Sequence, residues 1–266
     1  MRDDFTTCLV LDRHCLGQLT GVWPTWRRFK PELFTRPLLV ICDSQDGDSN
    51  WWRHKLQFLD DHPHRQLAYW GWPDSDDSEL GGMSQRERML TAWVKIPPHI
   101  VETPYWLKID SDVVATRRGP WFDPDWFAQQ PALIASPWGY TKPATWPGDL
   151  DRWARTVSRL ALLPALDLPE PGPEQRTIRH KRIASWICWV DTIFSKTAAT
   201  YSPGRLPVPS QDTYHWYVAQ RMGEKIIKTK MSKLGWQTIS SDRRRAKLIA
   251  EVLAADGPIT DERCCQ

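Results

Sequence analysis

The sequence predicts an α/β protein: a mixed, mostly parallel sheet flanked by helices. Three observations predict it. Apolar runs of strand length recur through the first two thirds of the chain. Helix-length segments with one apolar face separate them, as the crossovers of parallel strands require. Aspartate-rich clusters follow two of the runs, where such a sheet binds its ligands, beyond the carboxyl ends of its strands.

Thr7-Cys8-Leu9-Val10-Leu11 reads as the first buried strand. Leu19 to Phe29 follows as a helix with Pro24 near its start. Pro37 to Cys42 (PLLVIC) is a second strand that runs into the polar turn Asp43-Ser44-Gln45-Asp46-Gly47-Asp48. Trp51 to Leu59 reads as helix and Gln66 to Trp70 as strand. After a loop from Pro73 to Gly82, Ser84-Gln85-Arg86-Glu87 fits a capping box. Met89, Trp93 and Ile96 continue as one apolar helix face, which Pro97-Pro98 stops. Tyr105 to Ile109 is the fourth strand and leads directly into Asp110-Ser111-Asp112.

The second half is less regular. Leu133-Ile134-Ala135 suits a strand, and Ser136 to Gly148 a loop carrying Trp138, Tyr140 and Trp146. Arg152 to Leu163 reads as helix, Pro164 to Lys181 as a charged, proline-rich surface loop, and Ala184 to Phe194 as a strand or hairpin. Ser210 can cap a helix that Gly223 ends. Ile226-Ile227 starts a short strand. Ser241 or Asp242 caps a last helix with Leu248, Ile249, Val252 and Leu253 inward and Arg243-Arg244-Arg245 outward.

Composition narrows the function classes. A chain of 266 residues suits one large domain, and 41% hydrophobic with 25% charged residues excludes disordered and fibrous classes. A net charge of +3 does not by itself imply nucleic-acid binding. No apolar run reaches the roughly 20 residues of a membrane span. The acidic start lacks the features of a signal peptide. The cysteines form no CxxC pair, so a soluble protein of a reducing, cytoplasmic compartment is expected. Seventeen tryptophans suggest aromatic platforms as well as core.

Asp-x-Asp occurs at five places, starting at residues 46, 74, 110, 123 and 149. Asp110/Asp112 alone lies between an unbroken apolar strand and a further apolar stretch, Val113-Val114-Ala115. Two half-buried carboxylates repel each other and lose hydration, a cost that a divalent cation removes. Hard oxygen ligands suit Mg²⁺ or Mn²⁺. The plain alternative is a turn whose aspartates bond local amides.

The order of these pieces resembles a nucleotide-sugar glycosyltransferase of the GT-A fold. The pieces are TCLVLD, the WPTWRRF helix, PLLVICDS, GMSQRERMLTAWV, WLKIDSD, SWICWVDTIFSK and VPSQDTYHWYVAQRMGEKI. The likeness spans roughly residues 5–238 and is nearest to the family-2-like inverting enzymes. It implies a single domain over 1–266: a nucleotide-sugar-binding half (1–115), an acceptor-binding half (116–240) and a C-terminal helix and tail (241–266). It implies Mn²⁺ or Mg²⁺, a UDP- or GDP-sugar donor, and a glycan or other hydroxyl acceptor; a modified nucleobase is an alternative acceptor on which the near-neutral charge does not decide. Asp43 matches the acidic residue that contacts base or ribose, and Arg86 or Arg88 the basic residue of the donor helix. Asp110 and Asp112 match the DxD motif: Asp112 as direct metal ligand, Asp110 serving ribose or a water of the metal. Asp212 matches the catalytic base. Trp138, Trp186 and Trp189 are candidates to stack on acceptor sugars, though Trp186 and Trp189 suit a core equally well. The sequence departs from the family in Gln211, where an acidic residue is usual, and in lacking a late metal-binding His and the Q-x-x-R-W motif.

Two rivals remain: a sugar-nucleotide pyrophosphorylase, which needs a Gly-rich loop after the first strand, and a non-catalytic carbohydrate-binding protein. The absence of P-loop, GxGxxG and nucleophile-elbow motifs argues against kinases, dehydrogenases and serine hydrolases.

Overall fold

The computed structural model describes residues 4–70, 85–119, 122–137, 183–201, 214–216, 218–219, 222–239 and 241–255. Asp212, Trp138 and the cap residue Ser84 lie outside the described residues, as does the side chain of Arg86. Among the described residues no helix is long and apolar enough to cross a membrane.

Strand β1 (Phe5–Leu11) is buried along its whole length. Helix α1 (Arg13–Phe29) follows at once, because the Asp12 carboxylate accepts a hydrogen bond from the Cys15 amide (2.6 Å) and caps it. The helix therefore starts six residues earlier than the apolar pattern predicts, and Pro24 lies inside it. Strand β2 (Leu38–Asp43), helix α2 (Ser49–Lys55) and strand β3 (Arg65–Trp70) come next. They lead to α3 (Gln85–Lys95), the short α4 (Pro97–Ile100), strand β4 (Tyr105–Ile109) and the three-residue β5 (Val113–Ala115).

Helix α5 (Pro124–Ala128) and strand β6 (Leu133–Pro137) precede β7 (Ile183–Asp191). Helix α6 (Thr192–Tyr201) starts immediately after β7. The Asp191 carboxylate accepts from the Phe194 amide (2.7 Å), which turns the expected strand or hairpin into helix at Thr192. Strands β8 (Ile226–Lys228) and β9 (Trp236–Thr238) and helix α7 (Asp242–Ala254) complete the described chain.

Seven strands form one sheet in the order β3-β2-β1-β4-β7-β6-β8. β3, β2, β1 and β4 are parallel, and β7 is antiparallel to both β4 and β6. Both faces are covered. Leu9, Leu11, Val40 and Leu107 pack under α1, α2 and α7, while Cys8, Val10, Ile41 and Trp106 pack under α3 and α6. Burial on both faces is why these strands read as continuous rather than alternating apolar runs.

A second, two-stranded sheet pairs β5 with β9 antiparallel, Ala115 opposite Trp236. α1 holds this pair against the core: the Trp26 indole donates to the Val113 carbonyl (2.7 Å), and the Ala115 amide donates to the Thr25 hydroxyl (3.2 Å).

Candidate functional site

The register sets Leu11 beside Cys42 and Cys8 beside Lys108. Asp12, Asp43 and Asp110 thus stand at the carboxyl ends of three neighbouring parallel strands. Asp12 is already engaged: besides capping α1 it accepts from the Gln85 side chain at the start of α3 (2.9 Å).

Asp43 is 3% exposed. Its Oδ2 accepts from Nε (3.0 Å) and the terminal NH2 group (2.9 Å) of Arg88 on α3, and its Oδ1 from the Gln45 amide (3.0 Å). The Trp52 indole donates to the Asp43 carbonyl (2.9 Å). The turn after β2 is therefore locked to helices on both faces of the sheet. Charge-assisted bonds from two donors compensate the burial of the carboxylate.

The turn after β4 is equally fixed. The Asp110 amide donates to the Trp186 carbonyl of β7 (2.8 Å), the Val113 amide to the Asp110 carbonyl (3.2 Å), and the Ser111 hydroxyl to Gln18 of α1 (3.0 Å). Its two carboxylates remain partly open, with side chains 37% (Asp110) and 22% (Asp112) exposed. Lys108 forms an ion pair with Asp110. Arg245 of α7 reaches Asp112 Oδ2 at 3.9 Å, and the Thr238 hydroxyl lies 3.4 Å from the same oxygen. Burial raises the pKa of Asp112 and the Asp110 charge raises it further, while Arg245 opposes both.

The donor set fits a hard divalent cation. Both groups are carboxylates, and their mutual repulsion and desolvation are the costs such an ion relieves. Among the described residues no third His, Cys, Asp or Glu joins them in a metal-binding group. Mg²⁺-type sites often use one or two carboxylates, with substrate phosphate and water completing the shell.

The other sequence candidates divide. Trp189 is fully buried amid Phe5, Phe122, Trp126 and Phe127, with ring centroids 5.9–6.5 Å away. It is therefore core and does not face an acceptor. Trp186 is half-buried, and its carbonyl anchors the acidic turn. Arg243 and Arg244 are exposed as expected, but Arg245 points inward. His215 is fully buried, and burial followed by the charge of Lys108 lowers its pKa to about 3, so it is neutral.

Lys108 escaped the sequence reading and Arg245 was expected outward, although each left a signal. Lys108 is the single charge in an apolar strand, and lysine is rarely buried without a partner. Arg245 shares a helix face with Leu248 and Val252, three and seven residues on.

No family model matches this chain, and no curated protein matches it in sequence. Solved structures match its fold. Core-mannan synthase A from Aspergillus fumigatus, in its Mn/GDP form, is 12% identical over 85% of this chain and 72% of that one, with a TM-score of 0.51. The galactosyltransferase LgtC, solved with donor and acceptor sugar analogues, is 9% identical over 94% of this chain and 97% of that one, at 0.50. The 4-diphosphocytidyl-2C-methyl-D-erythritol synthase from Anaerococcus prevotii is 11% identical over 94% and 99%, also at 0.50. The fold is the α/β arrangement of GT-A structures.

Proposed function

We propose that this chain moves a sugar from a UDP- or GDP-sugar to an acceptor hydroxyl, with inversion at the anomeric carbon and with the help of Mn²⁺ or Mg²⁺. One observation carries the reading: a partly open aspartate pair ends the central parallel strand, two strands from the buried Asp43–Arg88 pair. Strand spacing sets these points about 10 Å apart, a distance that a nucleoside diphosphate can bridge between its base and its phosphates.

In this reading Asp43, held by Arg88, accepts hydrogen bonds from the base or ribose, and Arg86 lies on the same helix. Asp112 would hold the cation, and Asp110 would serve the ribose or a water of the metal. A bound divalent ion would supply positive charge for the departing diphosphate. The acceptor oxygen attacks the anomeric carbon, the bond from that carbon to the diphosphate breaks, and Asp212 takes the hydroxyl proton as general base. Residues 1–115 hold the donor and 116–240 the acceptor, with Trp138 and Trp186 as the stacking candidates that remain.

The synthase among the structural neighbours keeps a nucleotidyltransferase reading in view. Against it, a single residue, Asp12, separates β1 from α1, so the Gly-rich loop such an enzyme needs at that point is missing.

The test is a thermal-shift screen of UDP, GDP and their sugars with and without Mn²⁺, since a ligand of the folded state raises apparent stability. A shift that needs both a nucleoside diphosphate and Mn²⁺, with release of that nucleotide from its sugar, supports the proposal. No nucleotide response, together with weak glycan binding, would identify a carbohydrate-binding protein instead.

A further inference from the structure

Each carboxylate of the acidic turn faces a cation of the chain's own. Lys108 pairs with Asp110 from within β4; its side chain is 4% exposed, and its Nζ lies 4.9 Å from the centroid of the Trp93 ring. Arg245 faces Asp112 from α7 with its side chain 7% exposed. The same guanidinium donates to the Ile239 carbonyl (3.0 Å) and pairs with Asp242, which fixes its direction. With Asp242 counted, three carboxylates face two cations, so Lys108 and Arg245 offset most of the negative charge around the turn.

Fold stability does not account for this arrangement. A buried ion pair is seldom more stabilising than well-packed apolar residues of the same volume. Leucine at position 108 would suit strand β4 better by that measure. The pairing orients the carboxylates and offsets part of the negative charge that would draw a divalent cation in by itself.

We propose that Lys108 and Arg245 are positioning residues that offset most of the charge of Asp110 and Asp112, so that the turn binds a divalent cation far better together with a nucleoside diphosphate than alone. The diphosphate restores the negative charge that the two side chains remove, and the cation and nucleotide enter as one unit. A sugar nucleotide would then be recognised by its diphosphate as well as by its base. This inference rests on the donor-site reading above.

The test measures Mn²⁺ binding by electron paramagnetic resonance, on the wild type and on Lys108→Met, Arg245→Met and Arg245→Lys, with and without UDP or GDP. Thermal unfolding establishes that each variant is folded. The wild type is expected to take up Mn²⁺ at least about tenfold more tightly with nucleotide than without, the effect of about one neighbouring charge. Lys108→Met and Arg245→Met should each tighten metal-only binding by roughly 10- to 100-fold, the scale of one like charge removed from a site a few ångströms away. Arg245→Lys, which keeps the charge, should bind metal alone as weakly as the wild type. If Lys108→Met does not fold, Arg245→Met decides the matter from the edge of the site.

Wild-type protein that binds Mn²⁺ alone as tightly as with nucleotide overturns this inference and leaves the donor site standing. Unchanged metal-only affinity in the folded methionine variants overturns it too. Wild-type protein that binds neither UDP nor GDP with Mn²⁺ overturns the donor site, and this inference with it.

Discussion

Replacing Arg88 by methionine keeps most of the volume of the side chain and removes its charge. Asp43 then keeps the Gln45 amide at 3.0 Å and loses two charge-assisted bonds of 2.9 and 3.0 Å. The carboxylate is 3% exposed, so water does not replace the guanidinium without opening the turn. Breaking a buried pair on one side costs roughly 3–5 kcal/mol, because the remaining charge stays buried. For a domain of this size that corresponds to a fall in Tm of roughly 10 °C. The double variant Arg88→Met/Asp43→Leu removes the stranded charge as well and should recover most of the loss, since an apolar pair of similar volume is often neutral in such a site. Nucleotide binding should not recover with it. Urea unfolding gives the stability and thermal shift with UDP or GDP the binding. The reasoning fails if Arg88→Met loses under about 1 kcal/mol, or if the double variant is no more stable than the single one.

Three other outcomes follow from separate parts of the molecule. Lys30 is fully buried, donates to the Leu234 carbonyl (2.7 Å), and burial lowers its pKa from 10.5 to about 8. Between those values the unfolded chain binds more protons, so this residue makes stability rise with pH from about 8 to 10.5. Urea unfolding across that window should show the rise in the wild type and its loss in Lys30→Met, a difference approaching about 3 kcal/mol. Gly235 has φ +78°, and a Cβ there would stand 2.6 Å from Arg117 Cγ. Gly235→Ala should therefore lose roughly 1–3 kcal/mol in urea unfolding, and an unchanged midpoint would contradict the strain. Asp112→Asn should keep the fold and its Tm while Mn²⁺ no longer adds to the thermal shift given by nucleotide; a persisting Mn²⁺ effect would remove Asp112 from the metal site.

The parallel core was legible because its strands are buried on both faces. LLVIC carries that burial as an unbroken apolar run and YWLKI as one interrupted only by Lys108, and β4 has the expected bounds. The starts of α1 and α6 were not legible from periodicity, since each depends on one aspartate, Asp12 or Asp191, turning its carboxylate onto an amide three residues ahead. Strand β9 is too short for a pattern of its own; its pairing with β5 closes across 120 or more residues and belongs to tertiary structure. The same limit hid half of the candidate site. Asp43, Asp110 and Asp112 stand at strand ends that the sequence marks. Their partners Arg88, Lys108 and Arg245 come from a helix, a strand interior and the last helix, and only the fold reveals which carboxylate each one meets. Tryptophan was ambiguous for a physical reason: a ring that suits a sugar face also suits a core, and Trp189 went to the core.

The pairing of β5 with β9 has a consequence for the order in which the protein is made. Thr238 meets Asp112 across 126 residues of chain. At about 5–20 residues per second, the ribosome needs roughly 6–25 s to produce the second partner after the first. Until β7 follows, 74 residues beyond the end of β4, β4 has β1 on one side and an open edge on the other. The nascent N-terminal half therefore emerges with an unpaired apolar strand and an unfinished acidic turn. An open edge of that kind favours pairing with another copy of the same chain until β7 is made.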